Sequence, residues 1–191
     1  MMKKLTSLLL AGAMLFALAA CGTNNDNSNI GGETTKIPDA LTLLTTVWDA
    51  LPEDAKFAAA GGDFEHSVDD APGKFEAMDA DSLSYQLCFP EDDVELIDDA
   101  ASLTHMMNSN TFTCGAYHVT DASTLSTLTA DQHEKLQNQQ WMCGFPDKMV
   151  ILTVGEYMVT VYGAEDLVDS FRDQVQACYE NVSVAYDEAI L

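Results

Sequence analysis

Apolar residues in this chain fall into runs of three kinds. One is unbroken: Leu5 to Ala20 carry no charge and follow Lys3 and Lys4. A second recurs at helical spacing. Leu41, Leu44, Val47, Trp48 and Leu51 share one face of a helix that Pro38 opens and Pro52 ends. Leu167, Phe171, Val175 and Cys178 line another helix, flanked by Val168 and Tyr179, running from after Gly163 to about Asn181. The third kind is extended. Met149 to Val154 is a near-continuous apolar strand, Gly155-Glu156 suits a two-residue type II′ turn, and Tyr157 to Tyr162 returns. Both alternating sets of this hairpin are apolar, so both its faces are expected to be buried.

Around the hairpin, Phe112 to Val119 reads as a strand, Asp121 caps the helical sequence after it, and Val182 to Tyr186 reads as a last strand. Thr129 with Gln132 forms a second capping box, which predicts a break near Thr129 in a helix ending close to Trp141. The order β-α-β-β-α-β predicts an α+β fold whose C-terminal half is ferredoxin-like, with its two helices on one sheet face and the N-terminal helices on the other face or an edge. In that first half, Asp81 to Cys88 reads as a short helix, and residues 53–80 read as turns around Gly61-Gly62 and Pro72-Gly73. Pro90-Glu91-Asp92-Asp93 reads as the acidic first turn of a helix to about Met107, with Val94, Ile97, Ala101 and Thr104 inward and Asn108-Ser109-Asn110 ending it.

The N-terminal run is about sixteen residues, short of the roughly eighteen or more of a spanning helix, and it ends in small residues as a secretory signal does. Leu18-Ala19-Ala20-Cys21 resembles a bacterial lipobox. That resemblance implies a diacylglyceryl thioether on Cys21, cleavage before it, and attachment to the membrane through the lipid anchor at the extracytoplasmic face. Stable anchoring takes two or more acyl chains. Gly22 to Thr35, rich in Asn, Gly and Thr, reads as a flexible tether. The expected organisation is a leader over 1–20, a lipidated Cys and tether over 21–36, and one α+β domain over 37–191.

The whole chain holds 8 basic and 31 acidic residues. The leader takes Lys3 and Lys4 and no acid, leaving 6 basic residues against 31 acidic ones, a formal charge of −25. Such a surface repels phosphate backbones, so nucleic acid is not expected as a partner. Motif searches remove several chemistries. There is no Gly-x-Ser-x-Gly, no Gly-x-Gly-x-x-Gly and no P-loop. His133-Glu134 starts like a zinc-protease helix, but position 137 is Gln. Asp63 to Asp69 alternates oxygen ligands like an EF-hand loop, but Val68 and Lys74 stand where Gly and an acid are needed. Cys114 and His118, with His105 and Cys143, are zinc-type residues; four apart on a strand is about 13 Å, too far for one metal. Asp92-Asp93 and Asp98-Asp99 read as solvated acidic pairs, and Trp48 and Trp141 as packing residues. No metal or cofactor is predicted.

An export leader permits disulfides. Cys114 lies near the start of the first strand of the β-α-β-β-α-β run and Cys143 just past the helix that runs back antiparallel to it, so both fall at one end of the domain, each followed by Gly. A Cys114–Cys143 bond is therefore the expected pairing if one forms, contributing about 3 kcal/mol in the chain-entropy model. Cys178 reads as a buried thiol on an apolar stripe, and Cys88 lies in the less legible half.

The run from about Glu91 to Gln174, with the hairpin Met149-Val150-Ile151-Leu152-Thr153-Val154-Gly155-Glu156-Tyr157-Met158-Val159 and the lipobox, resembles a domain-of-unknown-function lipoprotein family of clostridia-type Gram-positive bacteria. Relatives of that type are sometimes labelled bacteriocin transport accessory proteins; this chain lacks the Cys-x-x-Cys of thioredoxin-like proteins. The resemblance implies an accessory role beside an exporter. The expected function is non-enzymatic binding of an envelope protein or small ligand by a membrane-anchored lipoprotein; the alternative is an envelope enzyme of thiol-redox or hydrolytic type. Cys21→Ser is expected to abolish acylation and move the protein from the membrane fraction to the secreted fraction or an unprocessed precursor. Fractionation together with mass spectrometry of the N-terminal peptide checks this, and an acylated mutant still in the membrane would refute the lipobox reading.

Overall fold

The computed structural model describes residues 36–107, 112–142 and 144–191. In chain order the elements are α1 (Ala40–Ala50), β1 (Ala59–Gly61), β2 (Val68–Asp69), β3 (Gly73–Phe75), α2 (Ala80–Leu87), a 3-10 segment (Glu91–Leu96), β4 (Ile97–His105), β5 (Thr113–Val119), a 3-10 turn (Ala122–Thr124), α3 (Leu125–Gln137), β6 (Lys148–Val154), β7 (Tyr157–Gly163), α4 (Glu165–Cys178) and β8 (Val182–Ala189). The mixed α+β class is as expected. The strands form one eight-stranded sheet in the order β2-β1-β4-β5-β7-β6-β8, with β3 also on β4, and every pairing is antiparallel.

The β6–β7 hairpin forms in the expected register, Val154 opposite Tyr157. Gly155 takes φ 61°, while Glu156 is not among the residues of positive φ, as a type II′ turn requires. Met149, Val150, Ile151 and Leu152 are fully buried, and they divide between the two sides of the sheet. On one side, Leu43, Leu44 and Val47 of α1 and Val168, Phe171 and Val175 of α4 pack on Leu103, Cys114, Ala116, Val150, Leu152, Val159 and Val161. Edge and tilted ring contacts run Trp48–Phe57–Phe112–Phe171 through that layer. On the other side, Leu83, Leu87, Phe89, Val94 and Leu128 pack on Ala100, Tyr117, Ile151 and Met158.

Two departures from the ferredoxin-like expectation share one cause. That arrangement would place the last strand beside the first and both helices on one face. Here β4 occupies the free edge of β5, so β8 lies beside β6. Both crossovers then move the same way across the sheet, from β5 over β7 to β6 and from β7 over β6 to β8. Because β5 and β7 run antiparallel, right-handed crossovers place their helices on opposite faces. That is where α3 and α4 are found.

The expected helix from Pro90 to Met107 is also corrected. Only Glu91–Leu96 turns, as a 3-10 segment, and Ile97–His105 is a strand. Ala100, Ala101, Ser102 and Leu103 are all buried, as a strand covered on both faces requires. Helix-forming Ala and Leu are overridden here by the backbone pairing that β5 needs along its whole length. Ser102 and Thr104 support the short strands that the sequence presented as turns. Gly62 N–H donates to Ser102 Oγ at 2.9 Å, and Thr104 Oγ1 donates to Ala60 O at 3.0 Å. The break expected at Thr129 is absent, and α3 runs through it. At the start of α1, Asp39 accepts from Thr42 N–H at 2.6 Å, and Asp99 of β4 accepts from Ala40 N–H at 2.7 Å, so two carboxylates satisfy end donors. Among the described residues no helix is long and apolar enough to cross a membrane.

Tyr117 is fully buried and lies back along β5 over Gly115, where a Cβ would sit 2.1 Å from the phenol oxygen. The hydroxyl has no hydrogen-bond partner among the described residues. Gly115→Ala is therefore expected to cost about 1–3 kcal/mol by overpacking, a fall in Tm of roughly 3–10 °C. Tyr117→Phe removes an unpartnered buried hydroxyl and is expected to be neutral or stabilising. Thermal melts of the two variants check the pair of signs, and an unchanged melt for Gly115→Ala would show that the ring is not held there.

Candidate functional site

Helix α2 is capped by Asp79, whose carboxylate accepts from Ser82 N–H at 3.1 Å, and it ends at Cys88 in the left-handed conformation, φ 52°. Helix α3 is tied to that ending twice. Gln132 Nε2 donates to Cys88 O at 3.1 Å in the interior, and Lys135 Nζ donates to Ser84 Oγ at 3.2 Å nearer the surface. These bridges leave a groove of about 550 Å³ lined by Asp81, Ser84, Tyr85, Glu91, Lys135, Trp141 and Met142, together with Gln139 and Gln140. A second lobe of about 480 Å³ shares Glu91 and Lys135 and continues between Pro90, Asp92, Asp93, Asp131 and Glu134.

The two lobes differ in character. Tyr85 and Met142 on the first are 80% and 90% exposed, unusual for large apolar side chains. Tyr85 also meets the exposed ring of Phe64 at 6.2 Å. Trp141 is half-buried against Tyr162, ring centroids 5.5 Å apart, and its Nε1 has no partner among the described residues. In the second lobe, burial pushes the Asp93 carboxyl up, and the charge and hydrogen bond of Asp131 and the charge of Asp92 push it further the same way. Lys135 is the one cation among the residues lining either lobe. Below the groove, burial raises the Cys88 thiol, with a hydrogen bond to Tyr162 and the Lys135 charge opposing. At 5% exposure it is a covered, protonated thiol at neutral pH.

Most residues singled out in the sequence lie elsewhere. Cys21 and Cys143 are outside the described residues, so only one end of the Cys114–Cys143 pairing is seen: Cys114 is fully buried beneath α1 and α4, and burial raises its thiol. Cys178 is half-buried rather than buried, beside Gln174 Nε2 at 3.4 Å. His118 is held by Asp98, Nδ1 to Oδ1 at 2.5 Å, at the other end of β5 from Cys114. His133 pairs with Glu188 and stacks on Tyr186, 4.1 Å between centroids. His105 accepts from Met107 N–H through Nδ1 and stacks on Phe57. Trp48 is core, with Nε1 donating to Asp70 O at 3.1 Å.

The EF-hand-like run does structural work instead. Asp63 accepts from the N–H groups of Glu65, His66 and Glu76 and from His66 Nδ1. Burial raises its carboxyl, and these hydrogen bonds more than offset that, holding it below the usual carboxylate range. Among the described residues no group of three or more His, Cys, Asp or Glu side chains is placed to hold a metal ion.

Of the groove, the sequence singles out Pro90, Glu91, Asp92 and Asp93 as an acidic helix start, Glu134 beside His133, and Trp141, each for a different reason. Tyr85 carried a readable signal. Leu83 and Leu87, four apart, face inward, and Tyr85 lies between them out of phase on the same short helix. Comparison with family models, curated proteins and solved structures finds no match to this chain.

The Asp93–Asp131 pair makes a pH prediction. A carboxyl raised in the folded state penalises folding above its folded pKa, and the penalty fades as pH falls into the carboxylate range. Asp93→Asn is therefore expected to raise Tm at pH 7 by about 1–4 °C, from a like-charge contact of roughly 0.2–1 kcal/mol, with the gain vanishing toward pH 4. A gain equal at both pH values would show that ionising Asp93 carries no folding penalty.

Proposed function

We propose that this protein is a lipid-anchored, extracytoplasmic binding lipoprotein of the cell envelope, and that the α2–α3 groove is where it holds its partner. The observation that carries the binding role is the exposure of Tyr85 and Met142 on the rim of a groove whose floor is fixed by the Gln132–Cys88 and Lys135–Ser84 bridges. Large exposed apolar side chains next to a shaped polar cleft are the common signature of an interaction site. A rigid floor also lowers the ordering cost of binding. The lipobox-like Leu18-Ala19-Ala20-Cys21 supports the membrane location, and the resemblance in sequence supports an accessory role beside an exporter. Two of the three described thiols of the domain favour binding over the thiol-redox alternative: Cys88 and Cys114 are both buried and raised by burial, the opposite of an activated nucleophile.

The test is site-directed crosslinking in the native membrane. A photoreactive phenylalanine analogue at Tyr85 or Met142 is expected to give a discrete adduct, and the same analogue at Asp49 on α1 is not. Tyr85→Ser with Met142→Ser is expected to reduce recovery of the partner about tenfold or more, since two rim anchors together would supply upwards of 1.4 kcal/mol. Equal adducts from all three positions would remove the groove from this role.

A further inference from the structure

The groove has two mainly polar lobes that share Glu91 and Lys135, and the large apolar side chains stand on the first of them alone. One presents Tyr85, Trp141 and Met142. The other presents Asp92, Asp93, Asp131 and Glu134. An occupant that fills both must carry apolar side chains and positive charge a short distance apart. We propose that it is a cationic peptide segment, with Lys or Arg residues seated among the carboxylates of Glu91, Asp92, Asp131 and Glu134 and apolar side chains laid on Tyr85 and Met142. The inference rests on the groove being the binding site and adds the chemical class of the partner.

Charge complementarity singles out this occupant. Lys135 is the one cation against the five carboxylates that line the second lobe, Glu91, Asp92, Asp93, Asp131 and Glu134, so the protein leaves an excess of negative charge there. Burial, and after it the neighbouring charges of Asp131 and Asp92, disfavour the ionised form of Asp93. A bound cation relieves that repulsion, so the free site is poised for positive charge. Anionic partners meet the reverse, a lobe of like charge on a chain with 31 acidic residues. A small inorganic cation would leave Tyr85 and Met142 uncovered, whereas an aromatic rim beside carboxylates suits the aliphatic stems and charged heads of Lys and Arg.

The experiment uses the full chain in phosphatidylcholine nanodiscs, titrated calorimetrically with a short peptide of Lys, Leu and Gly. Versions in which every Lys is Gln or Glu are run alongside, with empty nanodiscs as blank. The Lys peptide is expected to bind and to weaken as ionic strength rises, with the Gln version at least about tenfold weaker and the Glu version silent. Glu91→Gln/Asp131→Asn/Glu134→Gln is expected to lower affinity about tenfold or more. Asp49→Asn/Asp54→Asn/Glu180→Gln removes the same charge from exposed positions on or beside α1 and α4 and is expected to cost less than about threefold.

Equal losses from the two triple variants would overturn the proposal, because the peptide would then be reading the field of the whole protein. So would failure of the Lys peptide to bind below about 1 mM. A Gln peptide bound as tightly as the Lys peptide, and lost with Tyr85→Ser/Met142→Ser, would overturn the cationic partner while leaving the groove as the binding site. Insensitivity of every peptide to Tyr85→Ser/Met142→Ser would overturn both.

Discussion

Neither face of the β6–β7 hairpin can be left to water. Met149 to Leu152 are fully buried, and every residue of the strand opposite them is buried. Burying one such side chain contributes about 1.5–3 kcal/mol. Uncovering one face would expose Met149, Ile151, Met158 and Tyr162 together, a loss comparable to the whole net stability of a domain, about 5–15 kcal/mol. Helices must therefore cover both sides. The chain meets that demand with two same-direction crossovers that place α3 on one face and α4 on the other. α1 then joins α4, and α2 with the following 3-10 segment joins α3. The groove exists because two short polar elements, α2 and the Glu91–Leu96 turn, are pressed into service beside α3.

What could be read from the sequence follows from how local each signal is. The hairpin was legible because its apolar run and its Gly155-Glu156 turn lie within fifteen consecutive residues, and α1 and α4 because each carries a full apolar stripe and a clear boundary. Ile97–His105 was not legible. Val94, Ile97, Ala101 and Thr104 fit helical spacing, and nothing in that stretch announces that β5, which starts eight residues after it, needs a neighbour along its free edge. The placement of β8 depends on that same strand, so one misread element altered the sheet order and the helix layers together. The short strands around Gly61 and Gly73 depend on Ser102 and Thr104, more than twenty-five residues away, and no local pattern encodes such a bond.

The groove was harder still to anticipate. Its acids Glu91, Asp92 and Asp93 read in sequence as the first turn of a solvated helix, and the charges that give them meaning, Asp131 and Glu134, lie on a helix almost forty residues later. Tyr85 stood out of phase on its helix, yet an exposed aromatic residue gains significance only when Trp141 and Met142 arrive beside it. The chemistry of the site is a property of the packing of α2 on α3. Residues that looked chemical in sequence, such as Asp63 and His118, turned out to hold loops and strands in place.

The edge strand β8 has a further consequence. Its strand partner is β6 and it is mostly exposed, so its attachment depends on the ladder, on His133 and Gln137 of α3, which hold Glu188 and the Ala189 carbonyl, and on Lys148 and Arg172, which join Asp187 of β8 to Asp169 of α4 at 2.6–2.7 Å. Burial raises the Asp187 carboxyl, but its hydrogen bonds to Lys148 and Arg172 hold it below the usual carboxylate range, so the clasp is intact above that range and weakens as acid protonates Asp187. β8 should then be the first cooperative unit to detach, seen as early amide exchange in 182–189 while β7 stays protected. Its departure bares the edge of β6 along Val150, Ile151 and Leu152, an apolar, uncharged template for strand addition by another copy. In acid, the hairpin that organises the native fold becomes the segment from which it would aggregate.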